Sequence, residues 1–136
     1  MAKRKREIRP DLQAKPGTAF SFRLDGNIPS KKNRVRFGSN GVYHDKNFTK
    51  WHKLAVAQLT PNAPKDGWIA HATLVQINFT FESQRSKDLT NAAESIMDLL
   101  VDVGILKDDN FKVVPLLSLC ANYIKGISET KVEIVI

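Results

Sequence analysis

The sequence predicts an α+β fold: a single domain with a mixed β-sheet and two main helices packed on it. Three observations carry this expectation. Strand-period segments lie at both ends of the chain and in its middle, two helix-period segments lie between them, and the length allows only one core. With 136 residues, 42% of them hydrophobic, the chain has apolar material for one ordinary domain.

The elements follow in order. Residues 19–24 alternate, with Phe20, Phe22 and Leu24 set against Ser21 and Arg23, and read as a first strand. Asp25-Gly26-Asn27 turns the chain, and Ile28-Pro29-Ser30 leads into the basic run Lys31-Lys32-Asn33-Arg34. Residues 35–37 and 42–44 form a short hairpin turning at Asn40-Gly41. Asn47 is placed to cap a helix reaching about Leu59, with Trp51, Leu54, Ala55 and Leu59 on its apolar side. Residues 60–67, rich in Pro, Asn and Gly, are a loop. Residues 68–82 read as one long strand, in which Val75, Ile77, Phe79 and Phe81 alternate with Gln76, Asn78 and Thr80. Asp88 opens the clearest helix and Gly104 closes it. After the acidic loop Lys107-Asp108-Asp109-Asn110, residues 113–123 and 131–136 supply two further strands around a turn at Gly126. The resulting order is β-β-β-α-β-α-β-β. Residues 1–17 are expected to be a basic flexible arm, and 18–136 the folded domain.

Charge gives the first functional signal. Lys and Arg number 21 against 14 Asp and Glu, a net +7, which favours a polyanionic partner. The distribution is segregated. Residues 1–53 hold 14 basic and 4 acidic side chains, whereas residues 82–109 hold 3 basic and 7 acidic. A basic surface around a concentrated acidic spot suits a metal-dependent enzyme acting on nucleic acid: Lys and Arg bind phosphates, and carboxylates hold the ion. A mean hydropathy of −0.29 and the lack of a long apolar run argue against a membrane span, and the chain reads as cytoplasmic. One cysteine, Cys120, excludes a disulfide within the chain and a cysteine-based zinc cage.

The helix that begins at Asp88 has two faces. Leu89, Ala92, Ala93, Ile96, Met97, Leu99, Leu100 and Val103 form the buried stripe. Asn91, Glu94 with Ser95, Asp98 and Asp102 form the opposite ridge, with Asp88 at its mouth. An amphipathic helix with acids on its wet face is commonplace, and an Asp before a helix is an ordinary N-cap. The Asp108-Asp109 pair just past the helix adds to the set, because the chain must fold back after Gly104, bringing this loop towards the sheet and the strand end at Glu82. Hard divalent ions take oxygen ligands, often one to three carboxylates completed by water and substrate phosphate, and assist in-line attack on phosphorus.

The segment Lys87-Asp88-Leu89-Thr90-Asn91, with Glu94, Asp98 and Gly104 after it and then Asp108-Asp109-Asn110, resembles the core motif of RusA-type Holliday junction resolvases. That family typically opens a helix with Asp-Leu-Asp-Asn, carries an Asp within it, ends it at Gly, and follows with Asp-Asp and a short strand. Upstream, Ile28-Pro29-Ser30-Lys31-Lys32-Asn33-Arg34 is similar to the family's Pro-Ser-Lys/Asn-Asn-Arg segment. The resemblance implies a RusA-like fold and a Mg²⁺-dependent endonuclease, with Mn²⁺ able to substitute. It also implies a homodimer that makes paired nicks across four-way DNA junctions in recombination and repair, with no small-molecule cofactor. Asp88 matches the family's first aspartate, Asp109 the metal-binding member of the Asp-Asp pair, Asp108 its neighbour and Asn91 the motif asparagine. Two positions depart from the pattern. The second aspartate is Thr90 here, and a lysine of well-known members falls at Glu94. A hydroxyl is a poorer Mg²⁺ ligand than a carboxylate, and the long side chain of Glu94 is the candidate to restore the lost charge. The expected ligand set is therefore Asp88, Glu94 and Asp109, with Asp108 beside them and Asn91 and Asp98 in support. The alternative is a branched-DNA-binding protein that kept the fold and lost catalysis through Thr90.

Lys31, Lys32, Asn33, Arg34 and Arg36 are the expected DNA-binding residues, holding the phosphate backbone without reading sequence. Lys46, Lys50 and Lys53 share one side of the first helix and extend that surface. His44, His52 and His71 have no ligand spacing, and Trp51, Trp68 and Cys120 read as packing or strand-lining residues.

Overall fold

The computed structural model describes residues 7–29, 46–85 and 87–136 in full, and residues 35–38 and 41–44 by their backbone. Its elements run β1 (Ala19–Asp25), β2 (Val35–Gly38), β3 (Gly41–His44), α1 (Lys46–Leu59), β4 (Leu74–Phe81), α2 (Leu89–Val103), β5 (Leu117–Tyr123) and β6 (Glu129–Val135). A short 3-10 turn, Thr60–Asn62, follows α1. The main sheet has the order β1-β6-β4-β5, and β2 and β3 make a separate antiparallel hairpin. β6 is antiparallel to both β1 and β4, whereas β4 and β5 run parallel. The sheet is therefore mixed, and the fold is α+β.

α2 is the connection that parallel pairing of β4 with β5 requires. Its apolar stripe packs on the sheet: Ile96, Leu99 and Leu100 are fully buried together with Val75, Ile77 and Phe79 of β4 and Ile134 of β6. Period 2 along β4 meets period 3.6 along α2, and the overlap of the two apolar faces is the core. Truncating one of these helix leucines to Ala would cost about 2–5 kcal/mol. Gly104 ends α2 in the left-handed conformation (φ 84°), its N–H bonded back to Leu100 and Val101, a backbone state that favours glycine.

Several elements differ from the sequence-based expectations. The strand expected over 68–82 begins only at Leu74. Trp68 and Ile69 owe their apolar character to a different burial. Trp68 bridges to Asp11 and Ile69 to Leu106, through Leu12 N–H to the Trp68 carbonyl (2.8 Å) and Ile69 N–H to the Ile105 carbonyl (2.7 Å). The strand expected over 113–123 likewise begins at Leu117, because Val113 and Val114 are buried in a turn. Asn47 lies inside the first turn of α1 rather than before it, and Leu54 faces solvent while Phe48 is buried.

Within the segment 1–17 read as a basic arm, residues 9–12 make contacts with the domain. The Arg9 guanidinium donates to the carbonyls of Gly104 and Pro64. Asp11 accepts from the Trp68 indole N–H (3.0 Å) and from Lys107 Nζ (3.3 Å). These partners, the indole bond foremost, hold the Asp11 carboxyl below its ordinary pKa. Gly67 admits this approach, since a Cβ there would run into the Pro10 carbonyl oxygen. Among the described residues, no helix is long and apolar enough to cross a membrane.

Candidate active site

Asp88 occupies the N-cap of α2 with extended backbone (φ −82°, ψ 108°). Its Oδ1 accepts from the Thr90 backbone N–H (3.0 Å), the Thr90 hydroxyl (2.7 Å) and the Asn91 N–H (3.3 Å), and its Oδ2 accepts from Asn91 Nδ2 (3.0 Å). Capping satisfies helix N–H groups that have no partner within the helix, and the negative charge suits the positive end of the helix dipole. The residues Asp88, Thr90 and Asn91 thus form one hydrogen-bonded unit in which a hydroxyl and an amide fix the carboxylate.

The acidic loop is built in the same manner. Asp108 Oδ1 accepts from the Asp109 N–H (2.7 Å), and its Oδ2 accepts from Asn110 Nδ2 (3.0 Å). Asn110 Oδ1 in turn accepts from the Lys112 N–H (3.0 Å), and the Asn110 carbonyl from those of Val113 and Val114. Asp108 and Asn110 therefore shape the turn, and the buried Val113 and Val114 anchor its far side. Asp109 is the member of the pair that the turn presents to a pocket.

That pocket has a volume of about 320 Å³ and is lined by Thr90, Ala93, Glu94 and Met97 of α2, by Asp109 and Val114, and by Leu117 and Leu119 of β5. Spacings of three and four residues place the α2 members on one face. The fold thus brings Glu94 and Asp109, fifteen residues apart in sequence, to one cavity with the Thr90 hydroxyl between the pocket and Asp88.

Other candidates lie elsewhere. Asp88 and Asp98 do not line the pocket. Asp102 pairs with His52 of α1 at 3.3 Å, so that end of the ridge faces the other helix. Ser95 is fully buried, its hydroxyl donating to the Pro29 carbonyl (2.7 Å), and does not belong to the exposed ridge. Glu82 accepts from Asn27 Nδ2 (2.6 Å), at the opposite end of β4 from Val75, beside which Leu117 pairs; the acidic loop does not approach it. Lys31, Lys32, Asn33 and Arg34 lie outside the described residues, as does the side chain of Arg36. Lys46, Lys50 and Lys53 are exposed on α1. Cys120 is exposed rather than buried. Sequence reasoning missed Ser95 as the tether of the Pro29 segment, and it missed the pocket's apolar floor. The only signal for Ser95 was its place beside the buried Ile96.

The polar side chains that line the pocket are two carboxylates and a hydroxyl, beside Ala93, Met97, Val114, Leu117 and Leu119. Carboxylate and hydroxyl oxygens suit hard divalent cations. Among the described residues, no three His, Cys, Asp or Glu side chains come together as a complete metal-holding group. Two carboxylates in one pocket could hold an ion that takes few protein ligands and fills its sphere with water and substrate oxygens, as Mg²⁺ does. In comparisons with known proteins, no family model matches the chain and no curated protein matches it.

Proposed function

We propose that the chain is a Mg²⁺-dependent endonuclease of the RusA type, acting as a homodimer on four-way DNA junctions. The observation that supports it is the single pocket shared by Glu94, Asp109 and Thr90, three positions of the resolvase-like motif that are separate in sequence. Glu94 and Asp109 are the residues that would hold the ion, with Asp88 joining them from the helix cap. Bound there, Mg²⁺ would stabilise charge at the scissile phosphate and activate water. The chain's own contribution is positional. Asp108 and Asn110 hold the turn that aims Asp109, while Thr90 and Asn91 hold the Asp88 carboxylate. The apolar floor keeps bulk water from one side of the pocket, which strengthens electrostatic interactions within it. The net +7 charge, concentrated in the N-terminal third with Lys31, Lys32, Asn33, Arg34 and Arg36, supplies phosphate binding.

A second reading rests on one specific observation. Both oxygens of Asp88 are engaged by its own helix start, as in a purely structural cap, and this favours a branched-DNA-binding protein without catalysis. A synthetic four-way junction incubated with the protein in Mg²⁺ or in EDTA separates the two. Symmetric nicks in Mg²⁺ alone support the nuclease. Tight, structure-selective binding in both with cutting in neither supports the binding protein, and equal affinity for linear and branched DNA sinks both.

A further inference from the structure

We propose that the cleft between α1 and the end of β1 binds one unpaired nucleotide of a nucleic-acid single strand. The cleft has a volume of about 290 Å³ and shares no residue with the pocket of Glu94 and Asp109. Asn47, Lys50, Trp51, Leu54 and Gln58 line it at three- and four-residue spacing, so they occupy one face of α1. Asp25, at the end of β1, lines the other side. Packing within the domain does not account for this face. Leu54 is 62% exposed, whereas Phe48, Ala55 and Leu59 make the buried contacts of the helix.

Each part of the cleft answers to one part of a nucleotide. A base offers a flat ring face. The half-buried Trp51 indole, with the Phe48 ring beside it (centroids 5.7 Å apart), and the Leu54 side chain supply apolar surface for that face. A base edge offers donors and acceptors in one plane, and the carboxamides of Asn47 and Gln58 and the carboxylate of Asp25 supply the matching groups. Gln58 Nε2 donates to Asp25 Oδ2 at 3.3 Å, and the Asp25 N–H donates to Gln58 Oε1 at 3.4 Å. Both bonds are long and exposed, so a base edge can replace either partner at little cost. A phosphate needs a cation, and Lys50 stands in the cleft between Lys46 and Lys53, on a helix with no acidic residue. Arg23 pairs with the Asp25 carboxylate at 3.3 Å and offsets its charge.

Size and geometry select an unpaired base. A volume of about 290 Å³ lies at the lower end of small-ligand clefts, which run from about 300 to 1,000 Å³. A base inside a duplex is stacked on both sides and has no ring face left for a tryptophan. Stacking of this kind tolerates any sequence, because every base has a ring face. DNA and RNA strands carry the same base and phosphate chemistry and differ at the 2′-hydroxyl. Capture of a strand here needs neither the ion nor the acidic loop, so it stands whether or not the Glu94 and Asp109 pocket cuts DNA.

Tryptophan fluorescence of the full chain, titrated in EDTA with oligo-dT and with oligo-U, tests the cleft. Stacking on Trp51 should quench emission in step with binding, followed by the anisotropy of a labelled strand, and the tighter strand identifies the sugar. Trp51→Phe should remove the quenching, because Trp68 does not line the cleft. Leu54→Glu alters an exposed side chain, with circular dichroism to check the fold, and sets a charge against the base. It should weaken binding at least about 5-fold. Lys50→Ala should weaken binding to every sequence and lower the salt slope by about one unit. An abasic strand of equal length keeps the phosphates alone and should leave emission unchanged. Failure of both strands to quench overturns the cleft, as does equal quenching by the abasic strand, or a folded Leu54→Glu that binds like wild type. A chain that is quenched by single strands but cuts no junction keeps the cleft and sinks the nuclease reading; a chain that cuts junctions without quenching does the reverse.

Discussion

Replacing Asp88 by Asn and by Ala separates its capping role from its proposed role at the metal. Ala removes the acceptor for the Thr90 and Asn91 N–H groups, for the Thr90 hydroxyl and for Asn91 Nδ2. Loss of such a cap costs about 1 kcal/mol, and the lost charge at the helix N-terminus adds about 0.3–1 kcal/mol. Asn keeps the Oδ1 acceptor and gives up the charge and the Oδ2 acceptor. It also turns an NH₂ towards Asn91 Nδ2, which Asn91 relieves by rotating its amide. The expected loss is about 1–2 kcal/mol for Asp88→Ala and under about 1 kcal/mol for Asp88→Asn. At a urea slope of about 1–3 kcal/mol/M, the midpoints should separate by a few tenths of a molar unit, with the slope unchanged. Cutting should fall together in the two variants, by at least about 100-fold, because each removes the negative charge proposed to face the ion. If Asp88→Asn cuts like wild type, Asp88 is a cap and nothing more. If Asn destabilises as much as Ala, the capping geometry has been misread.

Four further outcomes are expected. Asp109→Asn should abolish Mg²⁺-dependent nicking with junction binding equal or tighter in a gel shift, and Glu94→Gln should raise the Mg²⁺ concentration needed; normal rates at low Mg²⁺ in both would refute a site in this pocket. Replacing Lys31, Lys32 and Arg34 by Ala should weaken binding to every DNA substrate and reduce the salt slope by up to about one unit per lost phosphate contact; an unchanged slope refutes phosphate contact. Ser95→Ala leaves the Pro29 carbonyl without its buried donor and should cost about 1–3 kcal/mol in urea unfolding, which an unmoved midpoint would disprove. Because the Asp11 carboxyl is held below its ordinary pKa, its bonds to Trp68 and Lys107 stabilise docking of residues 9–12 above the unfolded value. That contribution is lost as pH falls through the lowered folded value. Trp68 fluorescence in a Trp51→Phe background should report an acid step that disappears in Asp11→Asn, and an identical step in both would count against it.

Periodicity alone was enough to place α2, from the Asp88 cap to the Gly104 stop, and the alternating core face of β4, because both features arise from contacts within a few residues. The tight hydrogen bonding of Asp88 to Thr90 and Asn91, and of Asp108 to Asn110, is likewise local and can be read from Asp-x-Thr-Asn and Asp-Asp-Asn as turn chemistry. Other features depend on distant partners. Trp68 and Ile69 looked like strand because they are apolar, but their neighbours are Asp11 and Leu106, which only the fold supplies. Ser95 looked like part of an exposed ridge, yet Pro29, 66 residues away, covers it. The assembly of Glu94 with Asp109 depends on parallel pairing of β5 with β4, which swings the acidic loop against the face of α2. The sequence by itself determined the α+β class, the two acidic segments and the basic N-terminal third, since these are sums over local composition and pattern. Tertiary structure decided which acids share a pocket, because through-space proximity is set by strand order, and strand order is fixed by burial of the whole core rather than by any one segment.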